Sequence, residues 1–160
     1  MTRDKDIVGP GGYLSITDIK PVDDEPTSLT ATFSTKEVLT ANLWNHLSGQ
    51  PELEAVRDDY AAFSTVSIDE FGGLEWNDDV DMSADSFYRT AKIQSGHAMG
   101  RNEFRAWMRS NDLIIDTAAV VLGISKRQTA AYSSGEKLIP RTILLACKGC
   151  DAMVVEEDAA

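Results

Sequence analysis

Histidine and cysteine are scarce in this chain, two of each in 160 residues. A disulfide-stapled scaffold needs a denser cysteine set. The two cysteines, Cys147 and Cys150, form a single C-x-x-C pair. His46 and His97 stand far from it and repeat no ligand spacing, so a four-ligand zinc site is not assembled. A thioredoxin-like pair would follow a strand in an α/β pattern, whereas ILLACKGC reads as the end of a helix. One or both thiols therefore read as small buried residues. Long apolar runs are also missing. Nothing approaches the ~20 residues of a membrane span, and MTRDKDIVGPGG has no apolar h-region. A soluble, cytoplasmic protein with no membrane partner is expected. Catalytic signatures are equally thin. There is no Ser/His/Asp set at a motif spacing, no glycine loop for phosphate and no H-E-x-x-H, and two histidines are a poor stock of general bases. The chain is not expected to be an enzyme, and no catalytic residue, metal or cofactor is expected.

Charge is plentiful but unevenly placed. The net charge is −11. Residues 1–96 hold 7 basic and 18 acidic side chains, a balance of −11. Residues 97–155 hold 8 basic and 5 acidic, a balance of +3, and Glu156, Glu157 and Asp158 return −3. Such asymmetry between halves points to two domains with different partners.

The pattern of apolar residues agrees. Residues 1–12, ending GPGG, read as a loose arm. Tyr13–Lys20 alternates imperfectly as a strand, and Ser28–Ser34 sets Leu29, Ala31 and Phe33 on one face of a half-buried strand. KEVLTANLWNHLSG reads as a further short strand followed by irregular chain. PELEAVRDDYAAF reads as one short amphipathic helix, with Pro51 in its first turn. Two short strands near Thr65–Ile68 and Leu74–Trp76 turn at Gly72 and Gly73. NDDVDMS reads as an acidic loop, and Ser83 caps a helix over ADSFYRTAK. Ile93–Arg101, rich in small and polar residues, is the best linker. Beyond it the chain reads as helices only: NEFRAWMRSN, DTAAVVLG, SKRQTAAYSSG and PRTILLACKG, with no glycine or proline inside a helical run.

Function concentrates in Asp116–Gly149. Asp116 can cap a helix that stops at Gly123. Ser125 can cap the next, and S-x-x-Q to Gln128 is a capping-box pattern. Two short helices joined by a tight glycine turn form a helix-turn-helix. Ala119 is small where the helices would cross. Ala118, Leu122, Ile124 and Thr129 supply the apolar contacts between them, and Tyr132 closes the core. The outer face of the second helix then carries Lys126, Arg127, Gln128 and Ala131. Arginine can read guanine and glutamine adenine in the major groove. These residues lie in the helix's first turn, whose N–H groups also favour phosphate. Arg101, Arg105 and Arg109 recur every four residues, which fits either a DNA-flanking face or a plain solvated one.

LGISKRQTAAYSSGEKLIPRTILLAC resembles the lambda-repressor-like (Cro/XRE-type) helix-turn-helix family over residues ~100–150. The match rests on Ala119, Gly123, Ile124, Ser125, and the aromatic followed by S-G-x-K-x-x-P from Ser134 to Pro140. The resemblance implies that Ser125, Arg127, Gln128 and Tyr132 lie near DNA, with Thr117 and Lys137 near phosphates. It departs from the family at Thr117, where glutamine is usual, at Ser133, and in a fifth helix that is short or missing.

FGGLEWNDDVDMSADSFYR, residues 71–89, resembles a small bacterial α+β domain family of unknown function. That family carries a Gly-x-Leu-x-Trp strand, an Asn/Asp-rich loop and a helix with an aromatic pair. Its members are often encoded beside small toxins, which implies an antitoxin-like role. The acidic run Asn77, Asp78, Asp79, Asp81 can be read as a solvated turn, a patch for a basic protein, or a cation site. Trp44 and Trp76 read as core or dimer contacts.

The expected architecture is α+β. Residues 1–92 form an acidic mixed domain with antiparallel strands, for dimerisation or partner binding. Residues 93–100 are a linker, 101–155 an all-α lambda-repressor-like domain, and 156–160 an acidic tail. The expected function is sequence-specific binding of double-stranded DNA by a homodimeric, autoregulating bacterial regulator, with a small toxin as a further partner. The alternative is a protein-interaction module that uses the helical domain as a scaffold.

Overall fold

The computed structural model describes residues 13–159. The arm expected over residues 1–12 lies outside them. The chain divides into two compact units, one ending at Gln94 and the other beginning at Ser95.

In the first unit, β1 (Ile16–Pro21), β2 (Ser28–Phe33) and β3 (Val38–Asn42) form an antiparallel sheet in that order. The imperfect alternation of β1 has a structural cause. The register slips between Ile16 and Asp18, so Thr17 is an extra residue in the ladder. A bulge of this kind resets the two-residue period, and Ile16 and Ile19 both reach the core although three positions apart. On β2, Leu29, Ala31 and Phe33 are fully buried, as the alternation predicts.

The stretch read as one helix is two, α1 (Pro51–Arg57) and α2 (Tyr60–Phe63). The break falls at Asp58–Asp59, where the Asp59 carboxylate accepts from the Ala61 N–H at 3.0 Å and starts a new helix. Then come β4 (Ser67–Ile68), β5 (Leu74–Asn77) and β6 (Val80–Met82), a second antiparallel sheet. The acidic loop is therefore corrected to a hairpin. Asp78 and Asp79 make its turn, Asn77 Oδ1 accepts from the Asp79 N–H at 2.9 Å, and Val80 and Met82 are buried. Two apolar anchors in V-D-M were enough to pair the strand despite its charge.

Helix α3 (Ala84–Gln94) buries Ala84, Phe87 and Ala91. Phe87 and Tyr88 meet Phe33, Tyr88 edge-on at 5.4 Å. Its last residue closes the outer strand: the Gln94 amide donates to Asn42 O and accepts from Asn42 N, both at 2.7 Å. Trp76 is core, its indole donating to Phe63 O at 2.9 Å, whereas Trp44 is half-exposed with the Arg57 guanidinium 4.4 Å from its ring centre.

The second unit holds β7 (Ala98–Met99), α4 (Arg101–Ser110), α5 (Ile115–Leu122), α6 (Lys126–Ser134), β8 (Ile139–Pro140) and α7 (Arg141–Ala159). It is not all-α, because β7 and β8 pair antiparallel. The expected linker 93–100 is likewise structured at both ends, by α3 up to Gln94 and by β7. Two-residue strands leave no alternation for a sequence reading to detect. The last helix is longer than expected and runs through Gly149 into the acidic tail. Gly149 is thus inside a helix, where it weakens the helix without ending it. The core of this unit gathers Phe104, Trp107, Met108, Ala118, Tyr132, Ile139, Ile143, Leu144 and Cys147.

Candidate functional site

The site is built by the turn between α5 and α6. Gly123 sits at φ 67° and ψ 32°, the left-handed conformation that ends a helix. The Ile124 N–H then returns to Ala119 O at 3.0 Å. Two residues after Gly123 the next helix begins. Ser125 is extended, and its hydroxyl accepts from the Gln128 N–H at 3.1 Å. Ala118, Ala119 and Thr129 are buried between the helices, and the Thr129 hydroxyl donates to Ser125 O at 2.9 Å. A β-branched polar residue is thus buried fully satisfied, which holds the first turn of α6 in place.

Several predicted positions take other roles. Asp116 does not cap α5. The helix starts after Ile114, and the Thr117 hydroxyl accepts from the Ile114 N–H at 3.0 Å and donates to Ile114 O at 3.2 Å. Thr117 is exposed, but its hydroxyl proton is committed to the cap. Asp116 instead pairs with Lys126 at 3.0 Å, an exposed contact of little energetic weight. The capping box is only half made, because the Gln128 side chain turns along its own helix and donates to Tyr132 Oη at 2.8 Å. Tyr132 is 4% exposed and edge-on to Phe104 at 6.1 Å. The ring is core, as its spacing from Thr129 predicts, and only its hydroxyl reaches Gln128. Ala131 is buried as well.

The exposed side of α6 therefore consists of Ser125, Lys126, Arg127, Ala130 and Ser134, with Gln128 half-buried at its edge. Ala130 was missed. With Thr129 and Tyr132 fixed inward, the 3.6-residue period places 126, 127 and 130 outward. Among the described residues Arg127 and Lys137 make no ion pair, so both cations face solvent uncommitted. Arg105 and Arg109 are exposed on α4. Arg101 is also exposed, but it is tied down. Its guanidinium donates to Ser134 O at 3.1 Å at the C-terminal end of α6, and its Cδ stands 3.0 Å from where a Cβ would be on Gly135. A cation there meets the negative end of the helix.

The same unit holds both cysteines, neither in a disulfide. Cys147 is buried, and burial pushes its thiol up to about 12. Among the described residues no group of three or more histidine, cysteine, aspartate or glutamate side chains could hold a metal ion. No helix among them is long and apolar enough to cross a membrane.

Comparison with known proteins adds two findings. Residues 16–92 match a family of proteins of unknown function (DUF2442), which covers the strands and helices of the first unit and leaves the second outside. A comparison with curated proteins finds no match. A crystal structure from Nitrosomonas europaea ATCC 19718, described as a "Putative DNA Binding Protein", is 38% identical, with 88% of each chain covered and a TM-score of 0.55. At that identity over most of both chains, this protein belongs to the same family as the Nitrosomonas europaea protein.

Proposed function

We propose that this protein binds double-stranded DNA through α6 and acts as a transcriptional regulator. The observation that carries the reading is the three-residue turn Gly123–Ser125. It delivers the first turn of α6 to solvent with Lys126 and Arg127 exposed and its core-facing side held by Thr129 and Tyr132. In a helix-turn-helix of the lambda-repressor-like kind, that turn meets base edges. Arg127 is assigned to guanine. Gln128 reads adenine only if it releases Tyr132 Oη. The Ser125 hydroxyl, Lys126, Lys137 and the arginines of α4 are assigned to phosphates. The relative's description as a DNA-binding protein supports this assignment. The unit is not catalytic in this reading. The protein acts as a homodimer and autoregulates, in the manner of an antitoxin, from the cytoplasm.

The test is fluorescence anisotropy of the full protein with the DNA upstream of its own gene, against scrambled DNA and across a salt series. Specific binding with a negative log–log salt slope is expected. Arg127→Ala should cost about 1–3 kcal/mol at one base position and relax the preference there. Equal affinity for specific and scrambled DNA, unchanged by Arg127→Ala, would reject the assignment.

A second reading concerns the first unit. A cleft of about 990 Å³ lies among Asp69, Glu70, Asp81 and Asp85, flanked by Tyr13 and Phe71, each 81% exposed. Acid beside exposed aromatics suits a basic protein segment. A small basic toxin is the partner this reading names, and Phe71→Ala should weaken its capture without touching DNA affinity.

A further inference from the structure

We propose that α7 is a self-association surface on which two copies of this chain pair antiparallel, centred on Gly149. Ile143, Leu144 and Cys147 fix the inner side of this helix. The helical period then puts Leu145, Ala146, Gly149, Ala152 and Met153 together on the opposite side. All five are exposed, Leu145 by 54% and Met153 by 65%. The charged residues within that span leave the strip clear. Lys148 falls on its flank, and Asp151 lies toward the inner side, where it accepts from Asn111 Nδ2 at 3.0 Å. Nothing lies within 4 Å of a Cβ placed on Gly149, so a neighbouring backbone can approach closely there.

The charges at the two ends of the strip decide the occupant. Arg141 stands at its N-terminal end and Glu156 at its C-terminal end, both exposed. In an antiparallel pair centred on Gly149, Leu145 meets Met153 of the second copy and Ala146 meets Ala152. Arg141 comes within one turn of Glu156 of the second copy, and the same contact repeats across the twofold axis. A parallel pair would instead set Arg141 beside Arg141 and Glu156 beside Glu156. The strip is thus complementary to itself in one orientation only. It is about 22 Å long at 1.5 Å per residue, less than a full-sized interface, so a dissociation constant of about micromolar order is expected. The inference gives the homodimer of the preceding reading its interface, yet it needs no contact with DNA.

The test is sedimentation velocity of the full chain without DNA, from about 1 to about 300 μM, a range that brackets that constant. A reversible monomer–dimer equilibrium is expected. Leu145→Glu with Met153→Glu should weaken it at least tenfold with an unchanged circular dichroism spectrum, because both side chains are already exposed. Arg141→Glu and Glu156→Arg should each weaken it severalfold, and the two together should restore it. A monomer at every concentration, or a dimer indifferent to the Leu145/Met153 change, overturns the proposal. A charge swap that fails to restore overturns the antiparallel register. A variant that dimerises but ignores DNA counts against the α6 reading alone.

Discussion

Gly123 and Gly149 offer a matched pair of perturbations. A Cβ added at either position meets nothing within 4 Å, so alanine introduces no clash at either. Only the backbone differs. Gly123 holds φ at +67°, whereas Gly149 lies inside α7. A left-handed residue with a Cβ costs about 1–2 kcal/mol, whereas replacing a glycine inside a helix by alanine recovers about 0.5–1 kcal/mol. Gly123→Ala should therefore destabilise the second unit and Gly149→Ala stabilise it, with opposite signs for the same chemical change. Asparagine at 123 should cost less than alanine, because it tolerates this conformation. Two units make a single unfolding transition an unsafe measure. The readout is hydrogen exchange of peptides spanning 115–134 and 141–155, at a concentration low enough to hold the chain monomeric. Protection in α5 and α6 should fall about 5–30-fold for Gly123→Ala, following the free-energy change. Equal protection in the two alanine variants would refute the argument, since it would mean the turn does not depend on the left-handed residue.

Three further outcomes follow from single contacts. Gly72 is at φ 80°, and a Cβ there would fall 2.3 Å from Ser15 Cβ, so Gly72→Ala should destabilise the first unit by more than the ~1–2 kcal/mol of conformation alone, as hydrogen exchange of peptides from that unit would record. Tyr132→Phe removes the acceptor held by Gln128, which should cost about 0.5–1.5 kcal/mol of stability. It also frees the amide, so the preference for adenine should sharpen; loss of all DNA binding in a folded variant would show that Tyr132 itself makes the contact. Cys147, raised from 9.0 to about 12 by burial, should resist alkylation at pH 8 while Cys150 reacts, as peptide mass mapping would record. Its pKa is raised in the folded chain, so the stability it contributes is whole below pH 9 and is lost as pH rises toward 12.

The parts of the fold that were legible had a period long enough to express itself. The strand Ser28–Phe33, the helix over Ala84–Gln94 and the glycine-punctuated pair α5–α6 each carry a repeated apolar spacing or a stop residue with a physical role. The parts that were not legible fall below that threshold or depend on distant partners. The β7–β8 pair has two residues on each side. The hairpin through Val80 is hidden by four acidic neighbours that all face out. Gly149 looks like a stop, but Ile143, Leu144 and Cys147 anchor α7 firmly enough to carry the helix past it. At the site, residue types were right more often than orientations. Arg127 faces out and Tyr132 closes the core as expected, whereas Ala131 faces in, because Phe104 of α4, edge-on to Tyr132, draws the second turn of α6 into the core. Sequence spacing alone does not say where a third helix will lie.

The charge partition sets the form of the salt dependence. Arg101, Arg105, Arg109, Lys126 and Lys137, the cations assigned to phosphates, are exposed on the second unit. If all five meet phosphates, each copy releases counterions with a log–log slope of about −4.5. Residues 1–96 carry a balance of −11, and that charge repels the same DNA. The two terms respond to salt in opposite senses: counterion release weakens with added salt, whereas repulsion is screened away. At 0.01 M the screening length is about 30 Å and repulsion acts across a domain; at 0.15 M it is about 8 Å and repulsion is local. The plot should therefore bend, shallow at low salt and approaching the full slope only above about 0.1 M. Residues 97–160, lacking the acidic half, should give a straight line and be retained longer on heparin. A straight, steep line for the full chain down to 0.01 M would mean that the acidic unit does not feel the DNA at all.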